Sequence, residues 1–564
     1  MSDSTDAVDL LVRGTVVDVA TGVAAEGAVA VDDGEIVALA ERPADRVLEA
    51  EYVTPGLIDA HTHVELSMVP FPAYGAAVVP HGVTSVVHDP HEIANVLGPA
   101  GVRDFDNDAD ATPLKPRLTV PSSVPATELQ DAGGSVNPAA VADLLDRERT
   151  VALGEIMDLR AVLAGEDSVH AKIEAAHDRD LTVDGHVPDV TGEDLQELAR
   201  YLDTDHESVA LDEARAKAET GFRVYLREGS TSRNLADLVD LVDEVDPRRL
   251  SLCTDDRNPV DVLERGGINE AVVRAMELGV DPVTAVQMAT INTAEAYDLP
   301  FGRIEPGAPA DLVLLSELES WSVDHVIVDG VVDPVADSPP TDSAVPTDTV
   351  SFDPVTPAEL AIEHPGPGPV DVRVESAVGS FRTEERIASV QIETADAPDG
   401  AEGVLVGETE ADILPMAVIE RHGGPGTVGR GFVHNLGLDR GAVGTTVAHD
   451  AHNLIVAGTT HESMAAVANH LREIGGGIAV FDPEREATTT LPLPKAGLLS
   501  DEPLAETARS FEAVAEAATE IGLTVPGGLL EVTYLSLEVI PALRLTNEGL
   551  VDVESASYVD VVAE

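Results

Sequence analysis

At 564 residues, 44% of them apolar, the chain has room for roughly three to four units, and no run of about 18 apolar residues offers a membrane span. Asp and Glu total 103 against 34 Lys and Arg, a formal net charge of −69 that argues against nucleic acid and anionic membranes as partners. The single cysteine, Cys253, excludes an internal disulfide framework, and the acidic start Met1-Ser2-Asp3-Ser4-Thr5-Asp6 has no signal-peptide pattern, so a cytoplasmic protein is expected.

The charge is not a tail. It is spread along well-patterned apolar segments, and the only lysines are Lys115, Lys172, Lys217 and Lys495. Self-repulsion on this scale disfavours a compact state in dilute buffer. At molar salt the Debye length falls to about 3 Å and the repulsion fades. The composition therefore reads as that of a halophile's protein.

Residues 8–50 alternate apolar and polar positions between turns at Thr21-Gly22 and Asp33-Gly34, the pattern of short antiparallel strands. The pattern resumes at Ile304–Leu315 and His325–Gly330, which predicts one small β-sandwich domain split as 1–52 with 302–335. Between the halves, 53–301, apolar runs alternate with helical segments. The predicted strands are Val53–Asp59, Thr84–His88, Arg117–Val120, Thr150–Gly154, Leu181–Gly185, Tyr201–Thr204, Phe222–Leu226 and Leu250–Thr254. Eight such units predict an α/β fold of the (β/α)8 TIM type, with its site at the C-terminal strand ends. Residues 336–368, rich in Pro, Asp, Ser and Thr, read as a linker, and 369–564 as a C-terminal α+β domain. In that domain Ser463–Leu471 is a predicted helix ending at Gly475-Gly476-Gly477. His449 and His452 there could bind a metal, or could hydrogen-bond and line the main cleft.

Ionisable residues gather at the predicted strand ends. Alternate side chains of a strand share a face, so His61 and His63 project together, and Glu65 continues that face if the strand persists. Glu155 follows the fourth strand, His186 the fifth, His206 the sixth and Asp255 the eighth. Four histidines with two carboxylates and no thiolate suit Zn, Mn or Fe(II). The expected arrangement is two divalent ions. His61, His63 and Asp255 hold one, His186 and His206 the other, and Glu155 bridges. Such a pair lowers the pKa of a shared water until it is hydroxide near neutral pH.

The run Pro55-Gly56-Leu57-Ile58-Asp59-Ala60-His61-Thr62-His63 resembles the first-strand signature of the amidohydrolase superfamily. Within it, the chain is similar to the adenine deaminase family at Asp89–Val96, Ser122–Ala126, Gly154–Met157, Asp205–Glu207, Arg227–Ser230, Cys253–Arg257, Val447–Asn453, Leu491–Leu498 and Val539–Thr546. The resemblance spans nearly the whole chain and implies hydrolysis of adenine to hypoxanthine and ammonia in purine salvage, with manganese or iron(II) as the usual metal. Two departures are Leu66, where the family usually has serine, and Ser123, where it usually has cysteine. Neither removes a ligand.

On that resemblance, hydroxide attacks C6 of adenine and Asp255 takes its proton, then delivers one to the departing amine. Glu65 and Glu92 are candidates for protonating or hydrogen-bonding ring nitrogens. Arg227, Glu228 and His91 are candidates for binding the purine, with a surface ion pair as the alternative role for Arg227. A homo-oligomer is expected. The rival enzyme reading is a cyclic-amide hydrolase of the dihydroorotase or hydantoinase kind, which needs a carbamylated lysine at the fourth strand, where this chain has Glu155. A single-metal deacetylase of the same superfamily and a non-catalytic purine- or metal-binding protein are the further alternatives.

Overall fold

In the computed structural model, which describes residues 7–334, 341, 343–365, 368–379, 381–393 and 403–563, the chain divides into two units. One comprises Met1–Pro90, Asp106–Ser122 and Asn137–Thr341, the other His91–Phe105, Ser123–Val136 and Asp342–Glu564. Two stretches inside the span read as barrel, His91–Phe105 and Ser123–Val136, thus cluster with the C-terminal residues. The predicted linker 336–368 lies partly outside the described residues. No described helix is long and apolar enough to cross a membrane.

In the first unit the two flanks of the barrel share one sheet. Its seven strands run in the order Val331–Val332, Ser322–Val328, Leu312–Glu317, Ala44–Pro55, Val8–Asp18, Val23–Asp32 and Glu35–Ala38. The sequence reading made this a sandwich; the strands form a single sheet with a cluster on each face. Leu10, Val12, Val29, Val53, Leu312 and Ile327 pack together, as do Val8, Leu11, Ala28 and Ala30. Alternate residues of one strand therefore serve both clusters.

Residues 53–55, predicted to open the first barrel strand, belong to this sheet instead: Val53, Thr54 and Pro55 pair with Leu314, Val313 and Leu312. The chain changes sheets at Gly56. Its N–H donates to Asp311 O (3.0 Å), and the next one, on Leu57, donates to Gly82 O (2.9 Å). Any Cβ on Gly56 would stand 2.1 Å from Thr84 Oγ1, so only glycine permits the crossing.

The barrel strands are Leu57–Thr62, Val83–His88, Lys115–Val120, Thr150–Ile156 and Thr182–Gly185 in one parallel sheet, and Thr204–Asp205, Arg223–Arg227 and Leu250–Cys253 in another. Thr62 bridges in parallel to Asp255, and Asp203 N–H donates to Val183 O (2.9 Å), which joins the two sheets at both seams. The strands are nearly continuous in burial, as parallel strands covered on both faces must be. Ile58, Ala60, Val87, Ala152, Tyr225 and Cys253 fill the interior with Tyr297 and Phe301.

The second unit is built on a ten-stranded sheet that includes Val370–Gly379, Val428–His434, Ile413–Ile419, Leu454–Gly458 and Ala442–Thr445. Helix His461–Ile474 lies on it through Met464, Val467, Ala468 and Leu471. Thr460 starts that helix by accepting from Ser463 N–H, and Gly475, at φ 81°, ends it. The inserted segment His91–Phe105 opens the helix His91–Asp108, whose backbone breaks at Gly98.

Candidate metal centre

Six donor side chains converge at the C-terminal ends of the barrel strands, all within the first unit. His61 ends the first strand and His63 follows it; their Nε2 atoms are 3.2 Å apart. The strand does not persist to Glu65, so the condition on which Glu65 would share the face of His61 and His63 is not met. Residues Val64–Ser67 turn into a 3-10 helix, and Glu65 is buried on that turn.

Glu155, from the fourth strand, stands at the middle. Its Oε1 is 3.4 Å from His63 Nε2, while Oε2 lies 3.0 Å from His186 Nδ1 and 3.2 Å from His206 Nε2. The rings of His61 and His206 stack with centroids 4.1 Å apart. Asp255 closes the group from the eighth strand, its Oδ1 being 3.2 Å from His63 Nε2 and 3.8 Å from His61 Nε2.

The donor set fits divalent cations. His63 Nδ1 must carry a proton, because it donates to the carbonyl of Asp89 (2.9 Å). In a neutral ring that leaves the Nε2 lone pair facing two carboxylate oxygens, an arrangement a cation between them resolves. His61, His63 and Asp255 form one such group, His61, Glu155 and His206 another. His186, His206 and Glu207 form a third, and Glu155 has an oxygen toward each side.

Electrostatics sort the same residues. Burial, then the neighbouring His206 and His63, drives the pKa of His61 well below its ordinary value, so the ring is neutral and able to bind metal. Burial opposes charge on Asp255, but the neighbouring His63 and the Arg227 guanidinium hold its carboxyl well below the usual range. His186 goes the other way. Burial lowers it, yet Glu207 and the bond to Glu155 outweigh this and lift it to about 9.

Arg227 is committed to carboxylates. Its Nη1 donates to Asp255 Oδ2 (2.8 Å) and Glu207 Oε1 (2.5 Å), and its Nη2 to Glu207 Oε2 (3.1 Å). The ion pair weighed for it is present, though buried rather than at the surface. Glu228 pairs with Arg233 (3.6 Å). His91 and Glu92 lie in the second unit, where Glu92 meets His449 and His452 at 2.7 and 2.5 Å.

Three residues to which the sequence reading gave no role support the ligands. Glu207 anchors Arg227 and faces His186 at 3.8 Å. Asp89 accepts from Glu155 N–H through Oδ2 (2.9 Å), an approach that Gly154 allows because a Cβ there would sit 2.2 Å from the same oxygen. Asp59, buried, accepts from both Thr254 N–H (3.0 Å) and Thr254 Oγ1 (2.6 Å). Burial lifts its pKa to about 7 against those bonds. Beyond Thr254 the backbone passes through φ 62° at Asp255. There Asp255 N–H donates to His61 O (2.9 Å), and His63 N–H donates to Asp255 O (2.8 Å). The acids of Asp205-His206-Glu207 and Asp59-Ala60-His61 stand beside metal-ligand candidates, which is the signal that could have found two of the three.

Residues 52–332 match the model of the amidohydrolase family, and residues 388–557 that of the adenine deaminase C-terminal domain. An adenine deaminase of Desulfatibacillum aliphaticivorans is 38% identical over 562 residues, 98% of this chain and 97% of that protein. One of Methanothermobacter thermautotrophicus is 39% identical over 519 residues, 90% of this chain and 91% of that one. A crystal structure of an adenine deaminase aligns with 58% of this chain and 99% of its own, at 18% identity and a TM-score of 0.44.

Proposed function

The chain belongs to the adenine deaminase family, and from that premise we propose that its barrel centre hydrolyses adenine to hypoxanthine and ammonia. The observation that carries the reading is the convergence of His61, His63, His186, His206 and Asp255 on the two oxygens of Glu155 and on each other. These residues would hold two divalent ions, manganese or iron(II) above zinc, in the cytoplasm of a cell rich in salt. Bound there, the ions would lower the pKa of water toward neutrality and so supply the nucleophile.

The chain's own groups supply the rest. Asp255 presents Oδ1 to the histidines while Arg227 holds Oδ2, so its position is set before substrate arrives. It takes the proton that water gives up as oxygen adds to C6, and returns a proton to the exocyclic nitrogen. The C6–N bond then breaks and ammonia leaves. Glu65, on the turn directly after His63, is the group proposed to hydrogen-bond a ring nitrogen of the purine.

The test is direct. Enzyme purified in molar KCl and loaded with manganese should release ammonia and hypoxanthine from adenine in equal amounts. Turnover of dihydroorotate or a hydantoin with none of adenine would move the site to the cyclic-amide hydrolases.

A further inference from the structure

The histidines of Val447–Asn453 have no role in the barrel chemistry proposed above, yet both are buried and both face one carboxylate. His449 Nδ1 lies 2.7 Å from Glu92 Oε1, and His452 Nε2 lies 2.5 Å from Glu92 Oε2. Two histidines and a carboxylate are a common metal triad, and these three atoms are close enough to share an ion.

The second nitrogen of His452 decides between a metal and a hydrogen bond. Its Nδ1 accepts the backbone N–H of Ala448 (3.1 Å), so it carries no proton. A neutral imidazole then has its proton on Nε2, the atom that faces Glu92. A metal on Nε2 would require the proton to move to Nδ1, where it would meet the N–H of Ala448. The backbone that carries the ring is itself fixed. His452 N–H donates to Ala448 O (2.7 Å), Arg421 Nε donates to His452 O (2.5 Å), and the residue is held at φ 54°. On the other side the ring of Tyr534 stacks on His449 with centroids 4.3 Å apart.

We propose that His449 and His452 are a two-donor clamp on Glu92, positioning residues that fix it as a hydrogen-bond acceptor rather than ligands of a further metal ion. A carboxylate that accepts from an imidazole N–H on each oxygen has no proton of its own to give. The clamp removes Glu92 from the candidates for protonating a ring nitrogen and assigns it to holding the segment His91–Phe105 within the second unit. His91 Nε2, 3.5 Å from Glu92 Oε1, adds a third imidazole on the same side. All of these contacts lie inside that unit, and the inference does not depend on adenine being the substrate.

Hydrogen exchange and elemental analysis on the full-length protein in molar KCl test it together. With His449→Phe or His452→Phe, amide protection across 91–97 should fall at least about tenfold with no change in metal per chain, and chelation of the wild type should leave that stretch protected. A wild-type ion that both variants lose, or chelation that exposes 91–97 as far as the substitutions do, overturns the clamp in favour of a metal site. If the Phe variants do not fold, His449→Gln and His452→Gln decide. Each keeps an N–H donor, so the clamp expects protection and metal content near wild type, and loss of one ion refutes it. An enzyme inactive on adenine with these exchange results intact would sink the proposed function and leave the clamp standing.

Discussion

Arg227 grips Asp255 by the oxygen the histidines do not use. Its Nη1 stands 2.8 Å from Oδ2, while Oδ1 is the atom 3.2 Å from His63 Nε2. The carboxylate is thereby divided into an anchored oxygen and a working one. Asp256, next in sequence, is occupied elsewhere: it accepts from Thr231 N–H (2.9 Å) and Ser232 N–H (3.0 Å).

This division predicts unequal costs for two neighbouring substitutions. Asp255→Asn keeps an oxygen for the metal and loses the proton acceptor, so kcat should drop at least about a hundredfold, within the range of general acid–base groups. Asp256→Asn should cost far less in kcat and show its effect as a lower melting temperature. The reverse order in an adenine assay would mean the proton acceptor is misassigned.

Removing the anchor should act on turnover more than on substrate binding. Arg227→Gln leaves the buried Asp255 and the half-buried Glu207 without the cation they share, a costly arrangement. A fall of about tenfold or more in kcat, with KM changed little, is expected from steady-state kinetics on adenine. A rise in KM alone would return Arg227 to the purine edge.

Metal content follows from Glu155 having histidine nitrogens beside both of its oxygens. Active, dialysed enzyme should carry about two divalent ions, and Glu155→Gln should lose metal together with activity. One ion per chain in fully active enzyme would exclude a binuclear centre.

Acid should loosen the second unit through a histidine it cannot charge. His422 Nε2 donates to Ala451 O (2.8 Å) while Nδ1 is buried without a hydrogen-bond partner, and burial, then Arg421, lowers its pKa to about 3. The unfolded chain takes up that proton near pH 6.5. Stability present above about 6.5 is therefore lost as pH falls toward 3, by at most about 1.4 kcal/mol per pH unit for one group. His452, lowered to about 4 chiefly by burial, works in the same direction. Thermal melts at pH 7.5 and 5 should show a smaller loss for His422→Gln than for the wild type.

Salt should matter more than for an ordinary enzyme. With a formal charge of −69, lowering KCl from molar to below about 0.1 M extends the Debye length to about 10 Å and exposes the chain to its own repulsion. The melting temperature by circular dichroism should fall. An unchanged value would refute the link between charge and salt requirement.

Sequence reading went furthest where the signal was local. Strand periodicity located seven of the eight barrel strands, Val53–Pro55 apart, because polar residues mark where each apolar run ends; the sixth, predicted at Tyr201–Thr204, is Thr204–Asp205 and shares only Thr204 with the prediction. It could not see which sheet Val53 joins, since its partner Leu314 is remote in the chain and the crossing turns on the missing side chain of Gly56. His61, His63, Glu155, His186, His206 and Asp255 stood out as donors at strand ends. The support behind them did not: Asp59 meets Thr254 and Asp89 meets Glu155 only after the barrel closes. Nor did any local pattern reveal that the motif around His449 grips Glu92, a residue on a helix between barrel strands.

The shared seven-stranded sheet sets a schedule for synthesis. Strand Ala44–Pro55 leaves the ribosome early, but its antiparallel partner Leu312–Glu317 follows only after the whole barrel has been made. At about 5–20 residues per second, that edge waits on the order of ten to fifty seconds with its hydrogen bonds open. The acidic residues earlier on the same strand, Asp45, Glu49 and Glu51, repel other copies of the same unfinished chain during the wait.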